Sequence, residues 1–419
     1  MRIIHTSDWH LGQYFFTKSR APEHAAFLRW LTEQVKQHQV DAIIVAGDIF
    51  DTTSPPSYAR ELYNQFIVTL QQTQCQLVVL GGNHDSVAML NESRQLLSYL
   101  NTQVIAGVAE QPEQQLIELH DMNGDPAALI CAIPFIRPRD IVTSQAGFSA
   151  TEKQQALLEA IASHYQHIYQ LALDKQAQYP APLPIIVTGH LTTVGASTTD
   201  SVREIYIGTL DAFPAQAFPP ADYIALGHIH RPQIVAKSEH IRYSGSPIPL
   251  NFDETGQDKS VVLVEFKPEK KPEITLLPIP EFQPMRLIKG NIDEIKTAIA
   301  EFEHYQGDKT VWLDIEVDSR QYLNELQRQI QQLADSLPVE VVLLRRSKAL
   351  TQQSIQRQEK ETLAELTVDE VFARRVALDE TENNDSDPQQ AQRIQQLFRH
   401  VVNEIAETEA KTNVEDSVQ

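Results

Sequence analysis

Short apolar runs and amphipathic stretches alternate along the first two thirds of the chain. Residues 42–46, 77–80, 128–133, 185–188, 223–226 and 261–266 are each of strand length and rich in Val, Ile or Leu. That is the pattern of strands buried on both faces. Between the early ones, residues 25–36 and 58–71 repeat apolar side chains at helical spacing. Strand and helix in alternation predict a layered α/β domain. The later part of this region holds more strands than helices, which argues against a purely parallel sheet.

A proline-rich stretch follows, with Pro268, Pro272, Pro278, Pro280 and Pro284, and the first domain is expected to end there, giving a boundary at residue 284. Residues 285–347 read as strand, helix (292–302), strand (310–317), helix (322–333), strand (339–344), a small α/β module of split βαβ type. After Arg345 and Arg346 strand signals stop. Residues 348–419 carry two helical patterns, one centred on Leu363, Leu366, Val371 and Phe372. The other is a single apolar stripe of Ile394, Leu397, Phe398, Val401, Val402 and Ile405. An acidic, Asn-rich loop with Pro388 separates them. Two helices alone bury little surface, so they require the body of the protein or another chain.

Composition narrows the class. The chain has 419 residues, 42% hydrophobic and 22% charged, which excludes pervasive disorder and a disulfide scaffold. A net charge of −21 argues against coating nucleic acid through bulk positive charge, though not against a local basic face or a partner that holds it. Cys75 and Cys131 sit in apolar strand-like runs and read as buried free thiols. No signal-peptide core or membrane-length apolar run is evident, so a cytoplasmic location is expected.

The candidate chemistry lies where the strands end. Five strand-like runs finish in residues that ligate metals: Asp8 and His10, Asp48, Asn83 and His84, His190, then His228 and His230. In open α/β sheets ligand sites form beyond the carboxyl ends of strands, so folding gathers these groups at one rim. Glycine precedes Asp48, Asn83, His190 and His228, permitting an abrupt turn and close approach. Asp8 and His10 are two apart, as are His228 and His230, so in extended chain each pair faces one way. Seven donors, Asp8, His10, Asp48, Asn83, His190, His228 and His230, are enough for two divalent cations. Their mutual repulsion calls for a bridging carboxylate, for which Asp48 is the candidate. Nitrogen and oxygen donors without thiolate favour a catalytic Mn²⁺ or Fe²⁺ pair over structural zinc, and suit Mg²⁺ alone less well. Two such ions clamp a phosphate ester and activate a water, while His84 protonates the leaving alkoxide or stabilises the charged transition state. Asp51 and Asp85 read either as orienters of ligand histidines or as turn residues. The other histidines, among them His5 and His24, read as surface or packing residues.

These motifs match the calcineurin-like metallophosphoesterase superfamily. HTSDWHLGQ at 5–13, VDAIIVAGDIFDT at 40–52, GNHDSVAMLNESR at 82–94, IPFIRPRDIVTSQAG at 133–147, HLTTVGA at 190–196, residues 205–233 and YSGSPIPLNFDE at 243–254 resemble the bacterial SbcD family within it. The resemblance implies a two-sheet sandwich flanked by helices, with a small α/β cap and a C-terminal helical segment. It implies a Mn²⁺-dependent nuclease, with Fe²⁺ or Mg²⁺ as alternatives, acting as an ATP-dependent double-strand exonuclease and a single-strand and hairpin endonuclease in DNA repair, recombination and replication. The seven donors fall on the family's metal ligands and His84 on its catalytic histidine. Some archaeal relatives have a histidine where this chain has Asp51, so that histidine's role does not transfer. The resemblance further implies that the C-terminal helices dock on an SbcC-type, SMC-like ATPase, which consumes the ATP, and that the chain forms a homodimer within a heterotetramer through helices at 58–71 and 91–100. Arg137, Arg139, Arg203 and Arg231 lie near motif segments and are candidates for DNA contact.

Two other readings compete. One is a phosphatase of small molecules or phosphoproteins on the same fold. The other is a non-enzymatic scaffold whose metals only brace the structure.

Overall fold

Every other side chain of a strand faces the same way, and in this chain the two sets of each central strand enter two different cores. The computed structural model describes residues 1–16, 18–142, 149–197, 202, 212–318 and 323–347. It divides into two units, Met1–Arg345 and Arg346–Gln419. The elements below belong to the first, apart from the last residue of its final strand.

The chain opens with β1 (Arg2–Thr6), the short pair β2 (Tyr14–Phe15) and β3 (Lys18–Ser19), α1 (Ala21–His38), β4 (Ala42–Ala46), α2 (Ser57–Gln71) and β5 (Gln76–Leu80). It continues through α3 (Val87–Glu92), α4 (Arg94–Ser98), β6 (Thr102–Ile105), β7 (Leu116–His120), β8 (Pro126–Cys131), α5 (Pro138–Ile141), α6 (Ala150–Gln176) and β9 (Ile185–His190). Then come β10 (Tyr223–Gly227), β11 (Gln233–Val235), β12 (Ser238–Tyr243), β13 (Ser260–Glu265) and β14 (Glu273–Pro278). The last group is β15 (Met285–Gly290), α7 (Ile292–Ala300), β16 (Val311–Val317), α8 (Leu323–Ala334) and β17 (Val339–Arg346).

The first sheet has the order β14-β13-β1-β4-β5-β6, and the second β11-β12-β10-β9-β8-β7. Both are mixed, as expected. The central strands run parallel, and β13, β14, β7 and β11 pair antiparallel at the margins. Ile3, Ala42, Ile44, Val78 and Leu80 of the first sheet share a core with Ala128, Ile130, Ile186, Tyr223 and Ala225 of the second. The alternate residues Ile4, Ile43, Val45, Leu77 and Val79 pack under α1 and α2 with Phe27, Leu31 and Phe66. Leu129, Cys131, Val187, Ile224 and Leu226 pack under α6 with Ile161, Tyr165 and Ile168. The result is a helix–sheet–sheet–helix sandwich, in agreement with the expected class. Each fully buried Val, Leu or Ile contributes about 1.5–3 kcal/mol.

Element ends differ in places from expectation. The helix expected at 25–36 begins at Ala21, where Pro22 occupies the first turn. The single helix expected at 91–100 is two short helices meeting at Ser93, which caps both. The segment expected to start α8 at 322 is described only from Leu323.

Strands β15, β16 and β17 form a separate three-stranded sheet in that order. Ile288, Leu313 and Ile315 pack with Ile295, Ile299, Leu326 and Ile330 of α7 and α8. Asn291 and Glu294 close a capping box at the start of α7. A second small cluster joins this sheet to the sandwich: Phe15, Phe252 and Met285 are buried together, with Trp312, Val342 and Leu343 against them. Phe15 stacks on Trp312 at 6.0 Å, and the guanidinium of buried Arg20 lies over both rings. Lys18 pairs with Glu340 across the same junction.

Candidate metal centre

The loops after β1, β4, β5 and β10, together with the last residue of β9, meet at one end of the sandwich. Asp8, His10 and His230 present donor atoms within 4.8 Å of one another; so do Asp48, His190 and His228, and so do His10, Asp48 and His84. All seven of these residues are buried. The Asp48 Oδ2 atom stands between the first two sets, 3.6 Å from His10 Nε2 and 3.3 Å from His190 Nε2. Asn83 joins the second set, its Oδ1 lying 2.9 Å from His190 Nε2 and 3.1 Å from His228 Nδ1.

The backbone is bent to achieve this. Asp8, His10, Asp48 and His228 have φ of 53°, 47°, 51° and 94°, in the left-handed region that side chains other than glycine rarely adopt. Each costs on the order of 1–3 kcal/mol and persists only where surrounding bonds enforce it. Here the N–H groups of Asp8, His10 and Leu11 donate to the carbonyls of Gly47, Asp48 and Ile49. The expectation that each i, i+2 pair converges by extended geometry is therefore corrected. Left-handed turns aim these residues, and His228 and His230 enter different sets. Glycine is required at two points. Gly47 has φ of 94°, and a Cβ there would strike the His190 ring; a Cβ on Gly227 would strike the Ala46 carbonyl.

Second partners decide which nitrogen each histidine offers. His190 Nδ1–H donates to the Ala46 carbonyl at 2.8 Å, so neutral His190 carries a lone pair on Nε2. That lone pair faces the oxygens of Asn83 and Asp48. With His190 neutral, three acceptors face one another, a set that either a proton on Nε2 or a cation among them satisfies. In addition, His10 Nε2 and His228 Nε2 are buried without a hydrogen bond. A divalent cation at each donor set fits both observations, and histidine and carboxylate are its usual ligands. Burial opposes ionisation of Asp48, but His190, His10 and His84 hold its carboxyl well below the usual range. Burial opposes protonation of His190, yet the Asp48 charge lifts it to about 9.

Asp51 and Asp85 take different parts. Asp51 Oδ1 is 3.2 Å from His10 Nδ1, the carboxylate–histidine arrangement common behind metal ligands. Asp85 instead accepts the N–H groups of Gly82, Ile49 and Phe50 and so ties two ligand loops together. Burial, with Asp48 nearby, pushes the Asp85 carboxyl up to about 6. His84 donates its N–H to Asp48 Oδ1 at 2.9 Å, its Nδ1 lies 2.7 Å from the Asp51 carbonyl, and its ring sits edge-on to His10.

Of the arginines, Arg137 is half-buried, lies over the Phe135 ring and donates to the Asp85 carbonyl at 3.1 Å. Arg139 and Arg231 are exposed. Arg203 and the two expected C-terminal helices lie outside the described residues. Sequence reading missed Glu254, which is buried 3.3 Å from His230 Nδ1, and its partner Lys259. The segment 243–254 stood out only through resemblance, and nothing local marks that one acidic residue among Asp253 and Glu254 turns inward.

This donor set belongs to a known kind of protein. Residues 1–232 match the family model described as calcineurin-like phosphoesterase, and residues 281–380 match that described as type 5 capsule protein repressor C-terminal domain. The chain is 56% identical over 406 residues to the SbcD subunit of the nuclease SbcCD of Escherichia coli K12, covering 97% of this chain and 99% of that protein. The chain belongs to the SbcD family of calcineurin-like phosphoesterases. It is also similar to the SbcD nuclease subunits of Rhodobacter capsulatus, 34% identical over 67% of this chain and 70% of that one, and of Bacillus subtilis, 30% identical over 76% and 79%. Among the described residues, no helix is long and apolar enough to cross a membrane.

Proposed function

We propose that this chain is the nuclease subunit of a two-component DNA-processing enzyme, hydrolysing phosphodiesters at a pair of divalent cations with Mn²⁺ the first choice. The carrying observation is the meeting of two buried donor sets on the Asp48 carboxylate, in a chain whose relatives bear the name nuclease. Asp8, His10 and His230 would hold one ion, and Asp48, Asn83, His190 and His228 the other, with Asp48 shared. Bound there, the ions supply Lewis acidity toward the phosphate and lower the pKa of an attacking water. His84 would serve the leaving group. Its Nδ1–H is committed to the Asp51 carbonyl, so any proton it gives or takes moves through Nε2. Asp51 and Asp85 hold ligands and loops in place, and Arg137 braces the Asn83–Asp85 turn through the Asp85 carbonyl. Arg139, Arg203 and Arg231 remain the candidates for the DNA backbone, with Arg139 81% exposed.

The relatives are named as one subunit of an SbcCD nuclease, which supports a partner subunit. We assign its docking to residues 348–419, beyond a phosphoesterase domain at 1–284 and a capping domain at 285–347. The partner would be an SMC-like ATPase that uses the ATP and supplies much of the DNA contact this acidic chain lacks. Homodimerisation through the face of α2, α3 and α4 is supported by Val68, Leu96 and Tyr99, which are 54%, 66% and 78% exposed.

The deciding experiment is cleavage of hairpin DNA by the purified chain with Mn²⁺, with Mg²⁺ and with chelator, each with and without the ATPase. Small phosphomonoesters serve as competing substrates. Mn²⁺-dependent cutting of DNA in preference to phosphomonoesters supports the nuclease reading. Preference for the small esters would favour the phosphatase, and inertness toward both the scaffold. Deleting residues 348–419 should abolish co-purification with the ATPase while leaving the remaining chain folded.

A further inference from the structure

A carboxylate belonging to none of the five strand-end motifs stands behind His230. Glu254 is fully buried and ends the one-turn segment Phe252–Glu254. Its Oε1 lies 3.3 Å from His230 Nδ1. Its Oε2 receives Lys259 Nζ at 2.6 Å, the Leu250 N–H at 3.1 Å and the Ser246 hydroxyl at 3.2 Å. Lys259 Nζ also donates to the His230 carbonyl at 3.0 Å, and the Ser246 N–H reaches the same oxygen at 3.1 Å. The Glu254–Lys259 pair thus grips one residue by its ring and by its backbone.

Stability alone is a poor reason for such a pair. Desolvating two charges offsets most of their attraction, and apolar side chains of equal volume often do as well. What the pair supplies is direction. A carboxylate against one ring nitrogen fixes the tautomer and turns the other nitrogen toward the site. His10 and His190 are fixed in the same manner, by Asp51 in the loop after β4 and by the carbonyl of Ala46 at the end of β4. His230 instead depends on a turn whose Phe252 is buried with Phe15 and Met285, against Trp312 of the three-stranded module. The turn therefore faces the module on one side and the donor set on the other.

We propose that Glu254, held by Lys259, is a positioning residue that sets the ring orientation and tautomer of His230 at the metal centre. The assignment rests on the two-cation reading above.

The test is calorimetric titration of the full-length protein with Mn²⁺, with the electron paramagnetic resonance spectrum of the bound ions as a second readout. Glu254→Gln alone strands a buried lysine, so the working variant combines it with Lys259→Met, removing both charges at similar volume. The wild type should show two binding events. In the double variant one event weakens about 10–100-fold, while the other event and the metal-free melting temperature stay near wild type. Glu254→Asp keeps the charge but withdraws it from the ring, and should weaken the same event. In a His230→Gln background the Glu254 and Lys259 changes should add no further loss, as required of residues acting through that histidine. Unchanged affinity for both ions in the double variant overturns the assignment. Equal losses at both sites with a lowered metal-free melting temperature also overturn it, marking a purely structural pair. A wild type that binds no pair of ions removes the two-cation reading and this assignment with it.

Discussion

His5 Nδ1 accepts a hydrogen bond from the Tyr223 hydroxyl at 2.9 Å, joining a strand of one sheet to a strand of the other through the shared core. The roles are fixed because His5 Nε2–H donates to the Leu226 carbonyl at 3.1 Å. Both side chains are fully buried. The Tyr223→Phe variant keeps the ring and leaves His5 Nδ1 without a partner, an expected loss of about 1–3 kcal/mol. Urea unfolding followed by tryptophan fluorescence should show a lower midpoint with an unchanged slope. A midpoint equal to wild type would show that the bond adds nothing.

Acid should destabilise the sandwich partly through two neutral histidines. Burial brings His5 down to about 3; burial, with Arg20 and His10 nearby, does the same for His24. Between pH 6.5 and 3 the unfolded chain binds protons that the folded chain refuses, so stability falls as pH falls. Each histidine contributes a slope of about 1.4 kcal/mol per pH unit within that window. Unfolding curves across the window should be shallower in pH for a His5→Gln, His24→Gln double variant. Identical pH slopes would dismiss the explanation.

Asp48 touches both donor sets, so its loss should empty both. Asp48→Ala is expected to retain fewer than one Mn²⁺ per chain after desalting, against about two for wild type. Elemental analysis of purified protein settles the matter, and a full pair of ions in the variant would show that Asp48 does not bridge.

His84 is expected to separate binding from chemistry. His84→Ala should keep both ions and lose cleavage by about 10²–10⁴-fold, the range for removal of a general acid or base. Single-turnover cleavage of hairpin DNA, with metal content checked in parallel, measures this. Wild-type rates in the variant would remove His84 from the mechanism.

Cys75 and Cys131 are free and buried, and burial pushes both thiols well above their ordinary pKa. Neither should react with a maleimide in the folded protein, and both should react in urea. Mass spectrometry of the labelled chain counts the additions, and native labelling of either residue would contradict their placement.

Much of the fold was legible because the strands are apolar, short and regularly spaced. The rim was legible because five of them end in ligand residue types. The same logic failed at the backbone. From sequence, Asp8 and His10 look like neighbours on one face of a strand, whereas their φ values show left-handed turns imposed by the Gly47–Ile49 loop. The 27-residue α6 went unnamed although Ser149 and Glu152 form a capping box at its start, a signal present in the sequence. Glu254 could not be found locally, since its burial depends on Lys259, Ser246 and the Leu250 N–H arriving from separate turns.

The donors are divided between the two sheets. Asp8, His10, Asp48, Asn83 and His84 follow strands of the first, and His190, His228 and His230 end or follow strands of the second. Synthesis runs from the N-terminus, so a ribosome-bound fragment ending before residue 228 owns one half of the cage and part of the other. A donor set split in this way cannot be complete in any copy whose synthesis has not yet passed residue 230.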